Sequence, residues 1–133
     1  MAQKPIELIL MRQLASLLAT PVFLVDQSGV LVFYNEAAEG ILGRRFDETG
    51  EMPAAEWSTA FAQTDDDGRP IAPEALPLMT ALRESRPDHG RFTIRGLDGV
   101  RRRIEATAFP LLGGSGASVG AVVIFCEAGK SCA

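Results

Sequence analysis

The last third of the chain constrains its fold most. Residues 90–95 and 101–108 alternate in character, while residues 119–126 are apolar on both faces. Alternation of period two marks a strand with one buried face, and an unbroken apolar run marks a strand buried on both. Leu97-Asp98-Gly99 separates the first pair of strands; Pro110 is expected to end the second, and Gly113-Gly114-Ser115-Gly116 forms a loop before the third. Turns this short join antiparallel neighbours. On the second strand Arg101, Arg103, Glu105 and Thr107 share one face, and Arg102, Ile104, Ala106 and Ala108 the other.

The first half is built differently. A helix is predicted over residues 5–19, with Pro5 at its first position and apolar residues at 6, 8, 9, 10, 11, 14, 15, 17 and 18. That apolar arc is wider than the stripe of an ordinary surface helix. The helix is therefore expected to touch more than its own domain, most simply a second copy. Pro21 stops it. Val22–Val25 and Val30–Tyr34 then make a hairpin around Asp26-Gln27-Ser28-Gly29. Asn35 caps one or two helical turns that Gly43 closes. Residues 44–72 read as irregular, and Leu78–Glu84 as helical. The expected class is α+β: one antiparallel five-stranded sheet with short helices on one face, plus an N-terminal amphipathic helix. The partition is residues 1–20 as the helix, 21–127 as the domain and 128–133 as a flexible tail.

At 133 residues, 47% hydrophobic and 23% charged, the chain has the size and balance of one globular domain. A net charge of −4 argues against a nucleic-acid surface, and Arg101-Arg102-Arg103 is too short to reverse that. No apolar run is long enough to span a membrane, and the N-terminus lacks a secretory signal. Cys126 and Cys132 are read as reduced, which implies a cytoplasmic location.

Over residues 14–127 this order of elements resembles the PAS domain, a sensor module of signalling proteins. The resemblance rests on Asp26-Gln27-Ser28-Gly29 before Val30–Tyr34, on Asn35-Glu36-Ala37-Ala38-Glu39 with Leu42-Gly43, and on Asp67-Gly68-Arg69-Pro70 and Leu76-Pro77-Leu78. Asp98-Gly99 between two strands, Pro110-Leu111 and Gly120-Ala121-Val122-Val123 complete it. The family's usual Asp-Ile-Thr ending is replaced by Phe125-Cys126-Glu127-Ala128-Gly129, and no effector segment follows. The domain either works alone or is part of something longer.

The resemblance brings haem, flavin, small metabolites and lipids into question, and the residues must decide among them. The flavin photosensors of this family carry Asn-Cys-Arg on a helix after the first hairpin, and nothing between Gly43 and Trp57 matches. Their inner-face amides would fall at Ile94, Ile104 and Phe125, all apolar here. The haem versions need a His on the helix before the last three strands. Leu76–Arg86 has none, and His89 is placed in the following loop. No cofactor is expected. Asp65-Asp66-Asp67-Gly68 lacks the spacing of a calcium loop and reads as a turn. Gly113-Gly114-Ser115-Gly116 lacks the lysine of a phosphate loop. One His and two terminal Cys cannot build a zinc site, and no nucleophile–base or acid–base pairing stands out, so no catalytic or metal residue is expected.

What remains is the inner face. Phe23, Val25, Phe92, Ile94, Ile104, Ala106, Ala108, Ala121, Val123 and Phe125 form its expected lining, with Trp57, Leu78, Met79 and Leu82 facing it from the helices. Alanines beside large aromatics leave space. Either the helices fill it, giving a docking module with a solid core, or it is a pocket for a fatty acid or another small apolar ligand. Ile6, Leu10, Leu14 and Leu17 with Phe109, Val122 and Ile124 are the expected dimer interface. The sequence thus predicts a non-enzymatic regulatory domain that forms a homodimer and serves an unidentified signalling protein.

Overall fold

A computed structural model describes residues 5–129. The elements run α1 (Ile6–Ser16), β1 (Val22–Asp26), β2 (Leu31–Tyr34), α2 (Glu36–Leu42), α3 (Phe46–Thr49), α4 (Ala54–Ala60), a 3-10 turn (Pro73–Ala75), α5 (Pro77–Glu84), β3 (Asp88–Arg95), β4 (Arg101–Leu112) and β5 (Ser118–Glu127). The five strands form one antiparallel sheet in the order β2-β1-β5-β4-β3. The last strand is thus the middle of the sheet, which explains why it is apolar on both faces.

Each face carries its own core. On the inner face, α2, α4 and α5 bury Ala38, Ile41, Leu42, Trp57, Leu78 and Ala81 against Phe23, Val25, Ile104, Ala106, Ala108, Ala121 and Phe125. On the outer face, α1 buries Leu8 and Ala15 against Val22, Leu24, Val32 and Val122. Gly120 permits that second layer. A Cβ there would run into the Val25 carbonyl oxygen and sit 3.1 Å from Leu8 Cδ2.

Several boundaries differ from those expected. Pro110 does not end β4, which runs on to Leu112. Beyond Ala108 the strand pairs only with β5, so a residue without an N–H is tolerated there. The middle segment contains α3 and α4, too short for a periodic apolar signal. α1 stops at Ser16. β3 begins at Asp88, so His89 lies in a strand opposite Thr107 rather than in a loop. Cys126 is disulfide-bonded, against the expectation of a reduced thiol, which removes that argument for a cytoplasmic location. Cys132 and most of the expected tail lie outside the described residues.

Asn35 ties three elements together. Fully buried between β2 and α2, it accepts hydrogen bonds at Oδ1 from Ala38 N (3.1 Å) and Val22 N (3.0 Å). Its Nδ2 donates to the carbonyls of Ala15 (2.9 Å) and Thr20 (2.8 Å), with a longer approach to Leu18. One amide therefore caps α2, starts β1 and closes the end of α1.

A second tie holds the β3–β4 turn to the other end of α2. Leu97 N donates to Leu42 O (2.8 Å), and Arg102 donates to Ile41 O (2.8 Å) and to Asp98 Oδ2 (3.0 Å). Gly43 must take φ +85°, and a Cβ on it would fall 2.6 Å from Asp98 N. The hydrogen bond from Arg102, then that from Val100 N–H, holds the Asp98 carboxyl below the usual carboxylate range. A carboxylate depressed in the folded state stabilises above its unfolded pKa and loses that contribution as pH falls through its folded value.

Two outcomes follow. Asn35→Ala should destabilise by about 3–5 kcal/mol in urea unfolding, because a lost cap is joined by stranded buried donors and acceptors. Arg102→Leu should move the Asp98 titration upward by NMR and flatten the acid-side fall in stability below about pH 4.

Candidate functional site

Between the inner face of the sheet and the helices lies a cavity of about 60 Å³. Phe23, Phe92, Ile94, Ile104, Ala106, Val123 and Phe125 line it from the sheet face that alternation had singled out, and Trp57 and Leu78 line it from the helices. Val25, Ala108 and Ala121 belong to the same core without reaching the cavity, and Leu82 packs against that core. Met79 is buried but does not border the space. The fully buried Ala81 of α5 and the alanines of β4 and β5 let helix and sheet approach closely. Most of the room implied by the alanines is therefore taken up by helix.

The cavity also has walls that sequence reasoning missed: Leu42, Phe61, Gln63, Leu76 and Pro77. Leu42, Leu76 and Pro77 had entered only as residues that carry the family resemblance. Phe61 and Gln63 follow α4 in the segment read as irregular, where no periodicity could assign them a face.

Aromatic packing sets the shape of the site. Phe23 meets Trp57 edge-on at 5.8 Å and Phe61 at 6.4 Å, and lies parallel to Tyr34 at 6.4 Å. Trp57 Nε1 donates to the buried Gly29 carbonyl at 2.9 Å, tying α4 to the β1–β2 turn. Tyr34 donates to Arg44 O at 2.8 Å, and burial raises its pKa.

No group of three or more His, Cys, Asp or Glu side chains able to hold a metal occurs among the described residues. Asp65 Oδ1 is occupied by the N–H groups of Asp67 and Arg69 at 2.9 Å, which makes the acidic tract a turn. His89 is exposed, with Nδ1 2.9 Å from Thr107 Oγ1. No helix is long and apolar enough to cross a membrane among the described residues.

The predicted interface residues divide. Val122 is fully buried beneath α1 of its own chain, and Phe109 and Ile124 are half-buried beside it. Val122 cannot form a free surface while α1 stays docked. Ile6, Leu10, Leu14 and Leu17 remain 64%, 56%, 51% and 83% exposed. At about 100° per residue they share one side of α1, opposite Leu8 and Ala15.

The sequence pattern that describes the PAS fold matches residues 16–129. The chain belongs to the PAS family. Several solved PAS structures share its fold. The PAS domain of nitrogen regulation protein NR(II) from Vibrio parahaemolyticus is 17% identical, with 89% of this chain and 97% of that one covered and a TM-score of 0.63. A PAS domain from Colwellia psychrerythraea is 17% identical, covers 93% and 98%, and has a TM-score of 0.63. The LOV protein of Rhodobacter sphaeroides is 15% identical, covers 94% and 69%, and has a TM-score of 0.73. No curated protein sequence matches the chain. At such identities the likeness is one of fold, and this PAS domain's chemistry must come from its own residues.

Those residues do not fit a flavin or a haem. Pockets for such groups measure roughly 300–1,000 Å³, and an apolar cavity of about 150 Å³ is known to hold benzene. The walls of the PAS cavity carry neither Cys nor His. The free volume in this packing is well below that of a fatty-acid tail. Ala106→Val should extend into the free space and raise stability by about 1 kcal/mol, read as a higher urea midpoint.

Proposed function

We propose that this PAS domain is a non-enzymatic regulatory module of signal transduction that works as a homodimer through α1. The observation that carries this reading is the two-sided helix. One apolar side of α1 completes the outer core of its own sheet. The other side presents Ile6, Leu10, Leu14 and Leu17 to solvent with no charged residue between them on that stripe. Exposed apolar stripes of this kind mark interaction sites, and an uncharged stripe is complementary to itself across a two-fold axis. Because the same helix lies on β1, β4 and β5, a change in sheet packing would reach the interface directly.

The absence of ionisable groups from the cavity wall supports a non-catalytic role. The small cavity favours a largely filled core, in which the module acts mainly by docking, over a pocket for a lipid. An unidentified signalling protein would then read the dimer.

Leu14→Glu should shift the full chain from dimer to monomer in sedimentation velocity and raise the dimer dissociation constant at least about tenfold. Its thermal midpoint as a monomer should hardly change, since half-exposed Leu14 belongs to neither core. A wild-type chain that sediments as a monomer at high micromolar concentration would overturn the homodimer.

A further inference from the structure

The run Arg101-Arg102-Arg103 is divided between the two faces of its strand. Arg102 turns inward and ties the β3–β4 turn to α2. Arg101 and Arg103 belong to the outer face. There the register sets Arg101 opposite Arg95, Arg103 opposite Thr93 and Glu105 opposite Arg91. All four arginines of this face are exposed. α1 packs on β1, β5 and the Phe109–Leu111 end of β4, so it leaves the arginine half of the sheet uncovered.

Little on the face offsets this charge. Arg91 meets Glu105 at 3.3 Å, and Arg103 meets Asp66, on the turn beside β3, at 2.9 Å. Arg95 and Arg101 have no side-chain hydrogen bond or ion pair among the described residues. Like charges set directly opposite each other weaken a sheet. A chain of net charge −4 thus presents a local excess of positive charge, at some cost to the sheet that carries it.

We propose that the β3–β4 half of the outer face docks an acidic helix of a partner protein, whose carboxylates pair with Arg91, Arg95, Arg101 and Arg103. Guanidinium forks hold carboxylates bidentately. Strand residues two apart on one face lie about 6.6–6.8 Å from each other, and helix residues four apart rise about 6 Å. Carboxylates four apart on a helix therefore meet Arg101 and Arg103 in turn. Addition of a partner strand beside these arginines is closed off. The N–H groups of Thr93 and Arg95, which face out from the sheet edge, already donate to Thr64 O (2.9 Å) and Phe61 O (2.8 Å). A nucleic acid fits less well, because the tract Asp65-Asp66-Asp67 borders the arginines through Asp66 and would repel a continuous run of phosphates. This inference rests on the reading of the domain as a docking module, to which it adds the partner's chemistry and the face that receives it.

The test is an NMR titration of the full chain at low salt with a capped, alanine-rich helical peptide of about 20 residues carrying Glu at every fourth position. The same peptide with Gln in place of Glu, and a short DNA duplex, are the comparisons. Saturable shifts at the amides of Thr93, Arg101 and Arg103 are expected with the Glu peptide and not with the Gln peptide, and they should weaken as added salt screens the charges. Arg101→Glu should keep or raise the thermal midpoint, since it turns a repulsive pair with Arg95 into an attractive one, yet weaken the Glu peptide at least about tenfold. No saturable shift in the wild type, equal binding by Arg101→Glu, or tighter binding of the duplex would overturn the proposal. Sedimentation of the same samples reports the α1 interface separately. Failed peptide binding with an intact dimer sinks only the acidic partner, and peptide binding by a monomer sinks only the homodimer.

Discussion

The buried amide of Asn35 is the joint on which the rest of the domain depends. The outer layer exists only if α1 ends where the chain can turn into β1, and the inner layer only if α2 starts directly after β2. Asn35 answers both needs by accepting from Val22 and Ala38 while donating to Ala15 and Thr20. A side chain with one acceptor and one double donor, set at the single point where three backbone segments meet, satisfies groups that no apolar residue could. At the far end of α2, Arg102, Asp98 and Gly43 play the matching part, locking the helix to the β3–β4 turn. The first helix of the inner layer is thereby held at both ends, and the sheet is held with it.

This two-ended anchoring explains why the molecule has so little empty space yet still has some. α5 lies close over the alanines of β4 and β5, while the aromatic group of Phe23, Trp57 and Phe61 props α4 away from the sheet. The residual cavity opens where these two arrangements meet, under the segment that carries Gln63. On the opposite face, α1 is narrow enough to bury one apolar side and leave the other in water. Core and surface are thus connected through a single sheet two layers of side chains deep.

Much of this was legible in the residues. The hairpin around Asp26–Gly29, the cap at Asn35, the stop at Gly43 and the three closing strands each carry a local signal: a turn tetrapeptide, a capping side chain, a left-handed glycine, an alternation. The lining from Phe23, Ile94, Ile104 and Phe125 followed from strand alternation, because a strand has only two faces. The outer-face role of α1 was foreshadowed by its wide apolar arc. What failed to show were α3 and α4, at four and seven residues too short for a helical period to repeat. Pro110 misled because whether a proline ends a strand depends on whether a neighbour lies beside it. The pairing of Cys126 was equally out of reach, since proximity in space is not written in composition.

The sequence alone therefore determined the class of fold, the order of its strands and which face of each strand is apolar. Those properties arise from interactions between residues a few positions apart, where backbone conformation and periodicity suffice. Only the tertiary structure decided how far the helices fill the inner face, that Gln63 joins the wall of what is left, and that Val122 lies under α1 while Leu10 and Leu14 do not. These depend on how closely layers pack, a distance of a few ångströms set by every side chain between them at once.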